Sequence, residues 1–179
     1  MINWLRADLS NKLIWWIKPG RGETPLGDLL HLLQRGRLHG EQPAYIYGKR
    51  RCIAFSETPL IQAARLLLNA RQAGINFAPY GLLFDRNALY RQGARQTIHQ
   101  PLDELALLHQ DHYFRHVTLS PDEGVDFTWK REWRLPVDEL PFSADTCTLI
   151  LPDGDALQWL RTHMVSPLTD NALLLEHLL

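Results

Sequence analysis

A helix with a defined start, face and end is written into residues 24–36, and it constrains the rest of the chain. Thr24 offers a hydroxyl to the first free amides, and Pro25 suits the first helical position, where no amide is needed. Leu26, Leu29, Leu30 and Leu33 recur at i, i+3, i+4 and i+7, so one face of the helix is apolar. Gly36 supplies a left-handed cap. Just before this helix, Leu13-Ile14-Trp15-Trp16-Ile17 is an aromatic and β-branched run stopped by Pro19-Gly20. It reads as a buried strand and a turn. A strand followed at once by a one-sided helix calls for a sheet that the helix can cover.

The remaining punctuation extends that sheet. Ala44–Tyr47 and Cys52–Phe55 read as strands around the basic turn 48–51, and Ser56-Glu57-Thr58-Pro59 leads into a helix buried through Leu60, Ala63, Ala64 and Leu67. Residues 74–79 read as a loop and Tyr80–Phe84 as a central strand. Asp85-Arg86-Asn87 opens a short helix that ends near Gly93. Gln96–His99 is expected to be a strand and Pro101–Leu108 a helix. In Glu132-Trp133-Arg134-Leu135 apolar and polar residues alternate with the period of a strand. Thr146–Leu151 reads as the last strand, Asp153 as the cap of a helix carrying Leu157, Leu160 and Met164, and Thr169–Leu179 as a second short helix whose leucines suit the chain's own core, the favoured reading, or a contact across a dimer. No clean βαβ period runs through these elements. The expectation is an α+β fold, one domain over residues 1–179, with a small curved mixed or antiparallel sheet flanked by helices.

Composition narrows function only by exclusion. A chain of 179 residues that is 45% hydrophobic can build its core without disulfide or metal staples. Its 19 Lys and Arg nearly cancel 20 Asp and Glu, so no global positive field argues for nucleic-acid binding, and only a local patch remains open. No run reaches the roughly 18 apolar residues of a membrane span. The first eight residues lack the apolar stretch of a leader and bring in Asp8 early, so the cytoplasm is the expected compartment. Cys52 and Cys147 lie far apart in apolar runs and read as buried free thiols.

Phosphate loops, dinucleotide fingerprints and nucleophile elbows are missing: no Gly-x-x-x-x-Gly-Lys-Ser/Thr, Gly-x-Gly-x-x-Gly or Gly-x-Ser-x-Gly occurs. His109, His112 and His116 have a metal-like spacing, but Tyr113-Phe114 and Val117-Thr118-Leu119 turn the chain toward a strand before His116. The expectation is no metal site. Lys49-Arg50-Arg51 reads as a solvated turn tip or a compact anion contact. The most informative stretch is Trp129-Lys130-Arg131-Glu132-Trp133-Arg134. It suits either an edge strand with a solvated charged face, or a cleft with Glu132 at its floor. A carboxylate there would accept a ribose hydroxyl and stabilise positive charge developing at a sugar carbon.

Residues Leu13-Ile14, Cys52–Leu60, Pro79–Arg86, Gln92–Gln100 and Asp126–Arg134 together resemble, in that order, the AbiGi-type abortive phage infection family. The resemblance covers roughly residues 12 to 152. More distantly the layout is similar to ADP-ribosyltransferases of the DarT type. That resemblance implies an ADP-ribosyltransferase-like domain acting as a phage-defence or toxin-type protein, with NAD as substrate and a nucleic acid or protein as acceptor. It implies Glu132 as the catalytic residue. Trp15, Ser56, Tyr80, Arg86 and Arg95 would bind the dinucleotide: Ser56 a ribose hydroxyl, the two arginines phosphates, and Tyr80 by stacking. Relatives carry His and Thr where this chain has Trp15 and Ile17. Indole donates one hydrogen bond and accepts none. That departure favours the alternative, a non-catalytic antitoxin or sensor module of the same fold that binds a partner toxin, an antitoxin or a nucleotide.

Overall fold

A computed structural model describes residues 10–18, 24–68 and 78–178. The expected N-terminal reading, the turn at Pro19-Gly20 and the loop over 74–77 lie outside the described residues.

Strand β1 (Lys12–Trp16) is followed by helix α1 (Pro25–Arg35), which starts and ends as its residues dictate. The Thr24 side chain accepts from the Gly27 amide at 3.2 Å, and Gly36 sits at φ 64° with its N–H on Leu32 O. After β2 (Arg37–His39) come β3 (Ile53–Ser56), α2 (Leu60–Leu68), β4 (Gly81–Asp85), α3 (Arg86–Arg91), β5 (Arg95–Gln96), β6 (Ile98–Gln100) and β7 (His116–Thr118). The chain closes with β8 (Glu132–Leu135), β9 (Glu139–Pro141), β10 (Cys147–Leu151), α4 (Gly154–His163) and β11 (Leu173–Leu174).

Seven strands form one sheet in the order β11-β10-β4-β1-β3-β8-β5, antiparallel except for the β10–β11 pair. It is a mixed sheet within a single domain, with no closed barrel among the described residues. The expected central place of the Tyr80–Phe84 segment is met, since β4 lies between β1 and β10. Two smaller ladders, β2–β9 and β6–β7, stand beside it.

Strand periodicity divides the core in two. Leu13, Phe55, Leu82, Leu135 and Leu149 pack with Leu29 and Leu33 of α1 and Leu160 of α4. Ile14, Trp16 and Ile150 face the other way, onto Ala63 and Ala64 of α2 and Leu175 of the C-terminal segment. Burying a Leu or Ile contributes about 2 kcal/mol, so both faces stabilise the sheet. As expected, both cysteines are buried and free.

Four expected elements take another form. Residues 44–47 make a turn rather than a strand: Pro43 has no amide to lend to a ladder, and its carbonyl accepts the Ile46 N–H at 2.9 Å. The strand expected over 96–99 is two, β5 and β6, because Thr97 bonds Glu132 O through both its amide and its hydroxyl and the chain then leaves the main sheet. Leu102–Leu107 is 3-10 rather than α-helical, and none of its residues is buried, so no packed face enforces a longer helix. The C-terminal helix is replaced by β11 and short 3-10 turns, since Leu173 and Leu174 pair with Ile150 and Leu151. The leucines still pack on the chain's own core.

Candidate functional site

Strand β1 is paired along its whole length to β4, but it meets β3 at a single position, Ile14 opposite Ser56. Beyond that point the two strands part. A cavity of 1040 Å³ lies at the opening, lined from one side by Trp15, Trp16 and Ile17 and from the other by Ile53, Ala54 and Phe55. Helix α1 closes one wall through Asp28, His31 and Arg35, and residues 127–134 close another.

The β3–β8 register sets Ser56 directly opposite Glu132 and Ala54 opposite Arg134. Opposed residues share a face, so Ser56, Glu132, Ala54 and Arg134 all turn to the same side, and all four line the cavity. Glu132 keeps 18% of its side chain exposed, while Arg134 is 1% exposed as a residue. The Arg134 Nε donates to Glu132 Oε1 at 2.6 Å, and its Nη1 donates to Phe114 O at 2.7 Å and His116 O at 3.0 Å. A buried guanidinium with this many acceptors is fixed in place, and it fixes one carboxylate oxygen of Glu132 in turn. The polar face of β8 is therefore not the solvated edge that alternation alone allows.

The residues just before Glu132 are gripped by Ser56-Glu57-Thr58. Ser56 Oγ donates to Lys130 O at 2.7 Å and accepts the Thr58 amide at 3.2 Å; Thr58 Oγ1 donates to Trp129 O at 3.3 Å. The Glu57 amide donates to Arg131 O at 3.1 Å. The Glu57 carboxylate is 3% exposed and accepts from Arg86 Nη1 and from Trp133 Nε1, the latter at 3.0 Å, with Arg131 Nη2 at 3.8 Å. Arg131 sits at φ 46°, a left-handed backbone that costs a non-glycine residue about 1 kcal/mol. The Glu57 contacts hold it there, and β8 begins at the next residue.

Charge and aromatic rings are concentrated at the mouth. The Lys130 ammonium lies 4.6 Å from the Phe127 ring centre and 5.5 Å from that of Trp129, and both rings are exposed. Burial lowers the Lys130 pKa; Glu132 opposes that, and Lys18 and Arg134 add to it. Burial works the same way on Lys18, yet Tyr45 and Glu41 outweigh it and raise its pKa, with Lys18 Nζ 3.3 Å from Glu41 Oε2.

The cavity thus brings together Glu132, Ser56 and Trp15 of the expected site residues. Trp15 enters from the far side: it stands opposite Leu82 and packs with the Leu13–Phe55 cluster, on the face away from Glu132. Tyr80, Arg86 and Arg95 are not among the described residues lining it. Arg86 is committed to Glu57. Arg95 donates to Tyr90 O and Ala94 O on the edge strand β5. Tyr80 packs on the main core, where burial and then Asp153 raise its pKa. Arg134, Lys18, Arg35 and Lys130 line the cavity and were missed as site residues by sequence reasoning. For Arg134 the only signal was its place two residues beyond Glu132. Of the three histidines, His116 is fully buried at the head of β7, with Nε2 3.2 Å from Pro101 O, while His109 and His112 are exposed, so the three do not converge. The basic turn is also engaged: Arg50 pairs with Asp111 at 3.2 Å, and Arg51 Nε donates to Gly40 O at 2.8 Å. No helix among the described residues is long and apolar enough to cross a membrane.

Comparison with family models, with curated proteins and with solved structures finds no match to this chain.

Proposed function

We propose that the opening between β1 and β3 binds NAD and that Glu132 acts on its ribose, making the chain an ADP-ribosyltransferase-like effector of the phage-defence or toxin type. The observation that carries this reading is the cross-strand pair of Ser56 and Glu132 at the edge of a 1040 Å³ cavity. Cavities that enclose ligands run to roughly 300–1,000 Å³, so this one has room for a dinucleotide. Its aromatic walls suit flat bases, and Lys18, Arg35 and Lys130 supply positive charge for a pyrophosphate.

The chemistry follows from the carboxylate. The bond between the nicotinamide nitrogen and the ribose carbon breaks, and its electron pair leaves with nicotinamide. Positive charge develops on the sugar. Glu132 stabilises it and accepts a ribose hydroxyl, with one oxygen held by Arg134 and the other available to the substrate. A nucleophile of the acceptor forms the new bond to the ribose carbon and releases its proton. Ser56 holds the Lys130 carbonyl, so its part here is to set the height of Glu132 rather than to bind the ribose.

A second reading rests on one observation: Trp15 faces away from Glu132 and cannot serve as its partner across the ligand. A non-catalytic sensor or antitoxin module of this fold would bind a nucleotide or partner without turnover. Incubation with labelled NAD and DNA, RNA or lysate protein separates the two. Label transfer abolished by Glu132→Gln supports the transferase and identifies its acceptor; NAD binding with no transfer and no free ADP-ribose supports the module.

A further inference from the structure

Four lysines occur in the chain, Lys12, Lys18, Lys49 and Lys130, and their surroundings differ. Lys12 is paired with Asp85 at 3.7 Å and Lys18 with Glu41 at 3.3 Å, while Lys49 is exposed. Lys130 is half-buried and lines the cavity. Its backbone is fixed: Ser56 Oγ and Thr58 Oγ1 donate to its carbonyl at 2.7 and 3.4 Å, and the next residue, Arg131, has a left-handed backbone. Its ammonium lies against the exposed rings of Phe127 and Trp129. Burial depresses its pKa, against Glu132, and Lys18 and Arg134 add to the depression.

A partly desolvated amine on a fixed backbone, with other cations in the same cavity, is the setting in which a lysine becomes a nucleophile near neutral pH. Phe127 and Trp129 offer flat faces to a planar ligand. The cavity carries four cations, Lys18, Arg35, Lys130 and Arg134, against three carboxylates, so it favours an anion. We propose that Lys130 forms an imine with an aldehyde that carries a phosphate group. The neutral amine adds to the carbonyl carbon, and the C=O electron pair moves to the oxygen, which takes a proton. The C–O bond then breaks, the oxygen leaves as water, and the nitrogen lone pair closes the C=N bond. In total an ammonium and an aldehyde give an iminium ion and one water, with charge conserved and no oxidant or reductant. Glu132 lines the same cavity, and its carboxylate carries the proton from the nitrogen to the departing oxygen. The iminium keeps the positive charge beside the two rings.

The test uses the full wild-type chain at neutral pH with pyridoxal 5′-phosphate as the probe. Cyanoborohydride fixes the imines, and peptide mass spectrometry reads each lysine separately. No NAD is present, so the outcome is separate from the fate of the NAD reading. Trapping at Lys130 is expected to outrun trapping at the exposed Lys49 and to saturate as the probe is raised. Pyridoxal, which lacks the phosphate, is expected to trap Lys130 ~10-fold more slowly, the loss of one charge-assisted contact, and Lys49 at an unchanged rate. The pH midpoint for trapping at Lys130 is expected below 10.5, the ordinary lysine value. In a folded Glu132→Gln variant trapping at Lys130 slows and trapping at Lys49 does not. Trapping at Lys130 that is no faster than at Lys49, or that does not saturate, overturns the site. Equal rates with the two aldehydes overturn the phosphate assignment, a midpoint at or above 10.5 overturns the nucleophile, and a folded Glu132→Gln with the wild-type rate overturns the part given to Glu132.

Discussion

Ser56 and Glu132 are direct partners across the β3–β8 ladder, with their side chains on one face of the sheet. Ser56 is tied to the carbonyl of Lys130, two residues before its partner, and Glu132 is tied to Arg134, two residues beyond itself. The carboxylate is thus held from both directions along the chain.

Arg134 is expected to be the costliest residue to replace. Arg134→Met leaves Glu132 Oε1 and the carbonyls of Phe114 and His116 without their donor, a loss of about 3 kcal/mol in urea unfolding. Arg134→Lys rescues little of it, because one ammonium cannot reproduce the fork that reaches three acceptors.

Glu57 holds a separate network on the other face of β8. Glu57→Ala leaves Arg86 and Trp133 Nε1 unpaired at a site that is 3% exposed, and it releases the left-handed backbone of Arg131. The expected cost is about 3 kcal/mol, read from the urea midpoint at constant m. A companion loss of ligand affinity in the cavity is expected, since β8 begins at the residue after Arg131.

Gly81 pairs with Trp16 at the start of β4. A Cβ at this position would collide with the Trp15 carbonyl and come within 3.0 Å of Trp16 Cε3. Gly81→Ala is expected to lower stability by about 2 kcal/mol, since packed cores do not absorb such overlap. Gly36→Ala meets nothing within 4 Å and loses only the left-handed cap, about 1 kcal/mol. Thermal melts of the two variants rank the sites.

The cysteines give a pH signature. Burial pushes Cys52 up to about 11, against Arg134 and Arg50, and Cys147 up to about 12. At neutral pH a thiol reagent is expected to label both in urea and neither in the native protein. The folded values lie above the unfolded one, near 8.5. The stabilising contribution is therefore complete below about pH 8.5 and is lost as pH rises through 11 and 12. Unfolding free energy measured from pH 7 to 11 is expected to fall above pH 8.5, and Cys147→Ser is expected to flatten the fall.

Local features were legible in the chain and distant partners were not. Helix α1 follows its cap, its leucine spacing and Gly36 almost residue by residue. Alternation placed Trp133 and Leu135 on the face opposite Glu132 and Arg134. It carried no sign that residues 110–118 fold over Arg134 and bury it, since a polar strand position reads the same in water or beneath a loop. Arg86 shows the same limit. Its position at the end of a strand suggested a ligand, but its partner Glu57 is 29 residues away, at a strand-to-helix junction whose acid has no local signature. Leu173 and Leu174 suit a helix or a strand equally, and only the presence of β10 beside them decides.

The binding of NAD is tested most directly by calorimetric titration into the wild type and into Glu132→Gln. The account predicts a saturable heat with one site per chain in the wild type, and weaker binding in the variant, whose amide keeps the shape of the side chain but not its charge. No heat of binding at millimolar NAD in the folded wild type would contradict it.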